Sequence, residues 1–98
     1  MNHQRGKTLQ TANTSLSPAD VLAAAKAFFG PRNSVYAAFV EREGANHLAL
    51  RGQGGEEIIV AAYAEEGHTT VNGSSYLFDQ QVARFLASLP IAAGVSAA

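Results

Sequence analysis

Two segments of the chain, residues 35–42 and 58–64, alternate with the period of a β-strand but carry no polar face. In each of them, apolar side chains occupy both of the alternating sets. A strand of this kind has to be covered on both faces. This requirement limits the possible folds more than any other feature, because a chain of 98 residues has few elements with which to cover a sheet.

Four strands are predicted in succession, at residues 35–42, 47–51, 58–64 and 69–76. Short turns that are rich in Gly and Asn separate them, and connections this short join antiparallel neighbours. The four strands should therefore form a meander sheet. Within the last of them, Asn72-Gly73 is either the tip of a hairpin or a bulge.

A helix is predicted on each side of this meander. The first begins after Ser17, which can cap it, with Pro18 at the first helical position and Asp20 in the first turn. The second is capped by Asp79, carries one apolar stripe and ends at Pro90. Both helices are expected to cover the same face of the sheet, which gives an α+β fold.

Residues 7–12 form a possible additional strand before the first helix. With this strand the order of elements is β-α-β4-α, which resembles the small curved-sheet arrangement of TATA-binding-protein-like and helix-grip domains. The resemblance rests on the order of elements alone. It implies a fold and no activity, since folds of this kind carry unrelated functions.

Length, charge and cysteine content exclude several classes of function. The chain fits one domain, expected at residues 9–90 between a ragged N-terminus (1–8) and a flexible tail (91–98). Seven Lys and Arg against eight Asp and Glu disfavour nucleic-acid binding, and the absence of Cys excludes disulfides and thiolate chemistry. Neither a membrane-spanning run nor a signal peptide is seen, so a soluble, cytoplasmic protein is expected.

Few residues are candidates for chemistry. His68 and Asp79 are weak candidates for an acid–base pair, with Tyr76 nearby in the sequence. No spacing brings His47 or His68 together with further ligands, so neither a metal nor a cofactor is expected. The glycine-rich loop at 52–55 leads into a strand rather than a helix, which does not fit a phosphate site.

The uncovered sheet face leads to the functional hypothesis. The sequence predicts a non-catalytic interaction module that is completed by homodimerisation through this face. The alternative is a protein that binds a small apolar ligand between the sheet and the C-terminal helix, with an isomerase or cyclase activity as one version. As a third possibility, the two ends of the chain fold back over this face of the sheet. The residues expected on the uncovered face are Tyr36, Ala38, Val40, Ile59, Ala61 and Tyr63.

Overall fold

The computed structural model describes residues 7–30, 38–76 and 78–91. Within these ranges lie β1 (Lys7–Thr14), α1 (Pro18–Phe28), β2 (Ala38–Glu43), β3 (His47–Gly52), β4 (Glu57–Glu65), β5 (His68–Tyr76) and α2 (Asp79–Ser88). The predicted α+β class is confirmed, and the additional N-terminal strand is present. Of the strand predicted at 35–42, the first three residues, Tyr36 among them, lie outside the described residues.

The strands form one antiparallel sheet in the order β1-β5-β4-β3-β2. From β2 to β5 each strand pairs with the next, which is the predicted meander. β1 adds a fifth strand on the outer side of β5, where it is paired from Lys7↔Tyr76 to Thr14↔Thr69. β4 therefore lies at the centre of the sheet.

The two helices begin at different kinds of residue. The Ser17 side chain caps α1, since its Oγ accepts a hydrogen bond of 3.1 Å from the backbone N–H of Asp20. At α2 the cap position belongs to Phe78, which makes no side-chain cap, and the predicted cap Asp79 is instead the first helical residue. In that position its carboxylate still favours the positive end of the helix dipole.

Both helices pack on the same face of the sheet. The rings of Phe28 and Phe29, at the end of α1, lie with their centroids 5.5 Å and 5.6 Å from that of Phe85 in α2. Opposite them, the sheet presents a row of buried apolar side chains: Leu48, Leu50, Ile58, Val60, Ala62 and Val71. No helix in the described ranges has the length and apolar character needed to cross a membrane.

Asn72-Gly73 is neither a hairpin tip nor a bulge. β5 runs through both residues in unbroken register with β1 and β4. Gly73 faces α2, where a Cβ atom would lie 2.7 Å from Cγ1 of Val82. The glycine is therefore required for the close approach of the helix to the sheet.

The ends of the described chain are joined to the sheet. β1 begins at Lys7, within the segment that was predicted to be ragged. Ile91, predicted to start the flexible tail, forms an antiparallel bridge with Thr14, whose hydroxyl donates a 2.6 Å hydrogen bond to the carbonyl of Pro90. Residues 1–6 and 92–98 of the two predicted end segments lie outside the described residues.

Candidate functional site

The face of the sheet opposite the helices, called here the free face, is the candidate site. None of the elements in the described ranges packs against it, since α1 and α2 both lie on the other side. Its composition follows from the register, because residues that pair directly across strands point to the same side. The pairs Ala49↔Ile59 and Ile59↔Ser74 fix one row of this face, and His47↔Ala61 and Ala61↔Asn72 fix the next.

One half of the free face, on β2 to β4, has an apolar centre. Tyr63 and Phe39 stand out from it with 46% and 58% of their surface exposed. Ile59 and Ala61 are half-buried at the centre, whereas Ala49 is buried between its larger neighbours. We call this set the apolar half: Phe39, Ala49, Ile59, Ala61 and Tyr63. No element of the described chain covers these side chains, and Arg42 and His47 lie beside Ala49 and Ala61 on the same half.

The other half, on β1 and β5, is polar and internally hydrogen-bonded. The Thr11 hydroxyl donates a 3.0 Å hydrogen bond to Oδ1 of Asn72, and the Thr70 hydroxyl donates one of 3.3 Å to Oδ1 of Asn13. Leu9 and Tyr76, at one end of these strands, are the exposed exceptions. We call this set the polar half: Thr11, Asn13, Thr70, Asn72 and Ser74.

A charged cluster borders the apolar half beside Phe39. Nε and Nη2 of Arg51 donate hydrogen bonds of 3.1 Å and 3.0 Å to the two carboxylate oxygens of Glu41, and Nη1 donates one to the carbonyl of Gly55. Glu57 lies 3.8 Å from the same guanidinium. The hydrogen bonds from Arg51 hold the pKa of the Glu41 carboxyl below its ordinary value. Since this guanidinium is already paired, the cluster is a rim rather than a free anion site.

Ala38 and Val40 do not lie on the free face, contrary to the expectation from the sequence. They pair with Gly52 and Leu50, which places them on the side of the helices, where Ala38 is only 2% exposed and Val40 is 44% exposed. The reason is a β-bulge between Val40 and Arg42, since one additional residue in a strand reverses the direction of every side chain beyond it. Without the bulge, Val40 would pair with Arg51 on the free face.

Of the six residues predicted for the interface, the structure brings together Ile59, Ala61 and Tyr63 on β4. Sequence reasoning missed Phe39 and Ala49, which complete the apolar half. A signal for Ala49 was present, because the strict alternation of Leu48 and Leu50 leaves it on the opposite side. Phe39 had no such signal, since its direction depends on the bulge.

One of the two edges of the sheet is unsuited to pairing with another strand. The outer strand β2 contains the bulge and ends in three charged residues, Glu41, Arg42 and Glu43. Bulges and charges are common ways of protecting sheet edges. At the other edge, Ile91 pairs with Thr14 alone, and the rest of β1 has no strand on its outer side among the described residues.

The candidate catalytic residues do not meet. His68 is at one end of β5, with Nδ1 3.2 Å from the carbonyl oxygen of Glu66 and Nε2 3.3 Å from the Thr70 hydroxyl. Asp79 accepts a 2.9 Å hydrogen bond from Ser75 near the other end of β5, about 23 Å away at ~3.3 Å per residue. Tyr76 is also at that end, with its side chain on the free face rather than the helix side. No acid–base pair is assembled from these three residues.

The described residues contain no group of three or more His, Asp or Glu side chains that could hold a metal ion. The space between the sheet and α2, which the sequence offers as an alternative site for an apolar ligand, is filled at its centre by the contact of Gly73 with Val82.

No protein-family model, no curated protein and no solved structure matches this chain. Its function is therefore argued from its own residues.

Proposed function

We propose that this protein is a small, non-catalytic interaction module that acts as a homodimer, with the free face of its sheet as the interface. The observation that carries the proposal is the apolar half, whose central residues Ile59 and Ala61 are half-buried next to the exposed rings of Tyr63 and Phe39. Aromatic side chains around small residues are typical of the centre of protein interfaces. The cytoplasmic location expected from the sequence stays a prediction.

The size of the free face supports a second copy as the occupant. The 38 residues of the five strands, at ~3.3 Å per residue and ~4.8 Å between strands, give a face of roughly 600 Å². A stable interface of standard size buries about 800 Å² on each partner. The open face of a sheet is the kind of surface that takes part in sheet-on-sheet packing, whereas small ligands bind in concave sites.

The alternative of a ligand between the sheet and α2 has no specific observation in its favour. The helix approaches the sheet closely at Gly73, and the side chains considered for chemistry lie at opposite ends of β5 or on the other face.

Sedimentation velocity of the purified chain at micromolar concentration tests it. We expect a dimer, and we expect Tyr63→Lys to give a monomer that keeps the fold, because the Tyr63 side chain is exposed in the single chain. Ala87→Lys, an equal change in charge on the exposed side of α2, should leave the dimer intact. A wild-type monomer would contradict the proposal, and a Tyr63→Lys variant that remains dimeric would show that another surface forms the dimer.

A further inference from the structure

The division of the free face into an apolar half and a polar half restricts how two copies can stack. In a two-fold dimer the same patch lies on both subunits and contacts itself. A two-fold axis that runs along β4 would place β5 of one subunit over β3 of its partner. An axis perpendicular to the strands would place every strand over its own counterpart, running in the opposite direction.

The first orientation puts the polar half against the apolar half. Within the described chain, Asn13 and Asn72 each use Oδ1 as an acceptor, while their Nδ2 groups have no acceptor. In this orientation Asn72 and Ser74 lie over His47 and Ala49 of the partner, so the Ser74 hydroxyl would lose water against an alanine and gain no hydrogen bond, which is unfavourable. In the second orientation the partner's polar half supplies hydroxyl and amide oxygens instead.

The second orientation also fits the sizes of the side chains on β4. Ile59 and Ala61 are consecutive residues of this strand on the free face, one large and one small. When two β4 strands stack in opposite directions, Ile59 of one subunit can fill the space above the partner's Ala61, and the reverse contact follows by symmetry. Alternation of large and small residues across facing positions is the arrangement that fills an interface without voids.

We infer that the homodimer has its two-fold axis perpendicular to the strands, so that β4 stacks on the partner's β4, apolar half on apolar half and polar half on polar half. The inference rests on the proposed function, since it specifies the geometry of the same interface. It places Asn72 of one subunit over the partner's Ser74, and it keeps Asn72 away from the partner's His47, which lies two strands, or about 10 Å, to the side.

Thiol crosslinking tests this geometry cleanly, because the chain contains no cysteine. Single variants Asn72→Cys, Ser74→Cys and His47→Cys are made in the full chain, and sedimentation first establishes that each is dimeric. Mixed pairs are then treated with a short bifunctional thiol reagent. We expect a crosslinked dimer from Asn72→Cys with Ser74→Cys and none from Asn72→Cys with His47→Cys.

The reverse pattern would overturn the inferred axis and leave the dimer in place. Dimers in which neither pair crosslinks would show that another surface forms the contact.

If a cysteine variant is monomeric, a second experiment changes the sizes of the side chains on β4 and measures the dissociation constant of the dimer. Ala61→Ile should weaken the dimer at least tenfold by placing Ile over Ile, and Ile59→Ala with Ala61→Ile should restore it. An unchanged dissociation constant for Ala61→Ile would reject the stacking of β4 on β4, whereas monomeric wild-type protein would reject the proposed function itself.

Discussion

Gly73 illustrates how one missing side chain sets the distance between the sheet and α2. Its Cα faces Val82, which is fully buried, and a methyl group at this point would approach Cγ1 of Val82 to 2.7 Å. Glycine normally weakens the interior of a strand because it loses more backbone entropy on folding than other residues. Its presence in the middle of β5 is therefore explained by packing and not by a turn.

We predict that Gly73→Ala destabilises the protein by about 1–3 kcal/mol, because the added methyl group forces α2 away from the sheet. Urea unfolding followed by circular dichroism measures this change. Ser74→Ala, one residue further on the same strand but on the free face, is the control and should have a much smaller effect in the monomer. Gly73→Ala should also lower the free energy of unfolding by less when Val82 is replaced by Ala, because the smaller side chain leaves room for the added methyl group. An equal loss of stability with and without the Val82→Ala replacement would contradict the explanation that Gly73 is required for packing against Val82.

At the scale of elements, much of the fold follows from local sequence patterns. Ser17-Pro18 predicts the start of α1, the apolar stripe predicts α2, and glycine-containing turns predict the meander. The sheet face on which β2 presents its side chains could not be predicted, because the bulge between Val40 and Arg42 reverses it. A bulge has no reliable signature in one sequence, and Ala38 and Val40 were assigned to the wrong face for this reason. The candidate site was therefore predictable along β4 but not along β2.

The pairing of β1 depends on a second feature that local patterns do not show, its connection to the end of α2. Thr14 is fully buried; its hydroxyl donates to the carbonyl of Pro90 and accepts a 3.3 Å hydrogen bond from the N–H of Leu16. Residues 76 positions apart in the chain are joined in this way. Hydrogen bonds between distant residues are a property of the folded chain and have no periodicity to reveal them.

We predict that Thr14→Val, which keeps the shape of the side chain and removes the hydroxyl, destabilises the protein by about 1–2 kcal/mol, because two part-buried backbone groups lose their partner. Thr11→Val on the same strand is the matched control, and both variants are made in the monomeric Tyr63→Lys background, where the free face has no partner. Its hydroxyl is exposed and bonds only to Asn72, so we expect a change of less than about 0.5 kcal/mol. Urea midpoints of the three proteins provide the comparison. If Thr14→Val lowers the stability less than Thr11→Val does, the hydrogen bond from Thr14 to Pro90 does not hold β1 in place.

For the whole molecule, the two layers of the structure leave one side of the sheet without a cover in the described chain. The helix side is a continuous core from Phe29 to Phe85, whereas the free face carries apolar rings at its surface. The bulge and the charges of β2 disfavour growth of the sheet by strand addition at that edge. Stacking of two free faces is the mode of assembly that we propose.

If a second copy covers the free face, the stability of the protein must depend on its concentration, because dilution favours the dissociated, unfolded chains. A tenfold increase in concentration should stabilise the dimer by about 1.4 kcal/mol and raise its thermal midpoint by about 3–5 °C. Ile59→Lys, which puts a charge at the centre of the apolar half, should abolish this dependence and leave a single cooperative transition of the monomer. Calorimetry over a hundredfold range of concentration, with Ala87→Lys as the control for charge, distinguishes the two behaviours. A wild-type midpoint that does not change with concentration would mean that the free face is stable without a second copy.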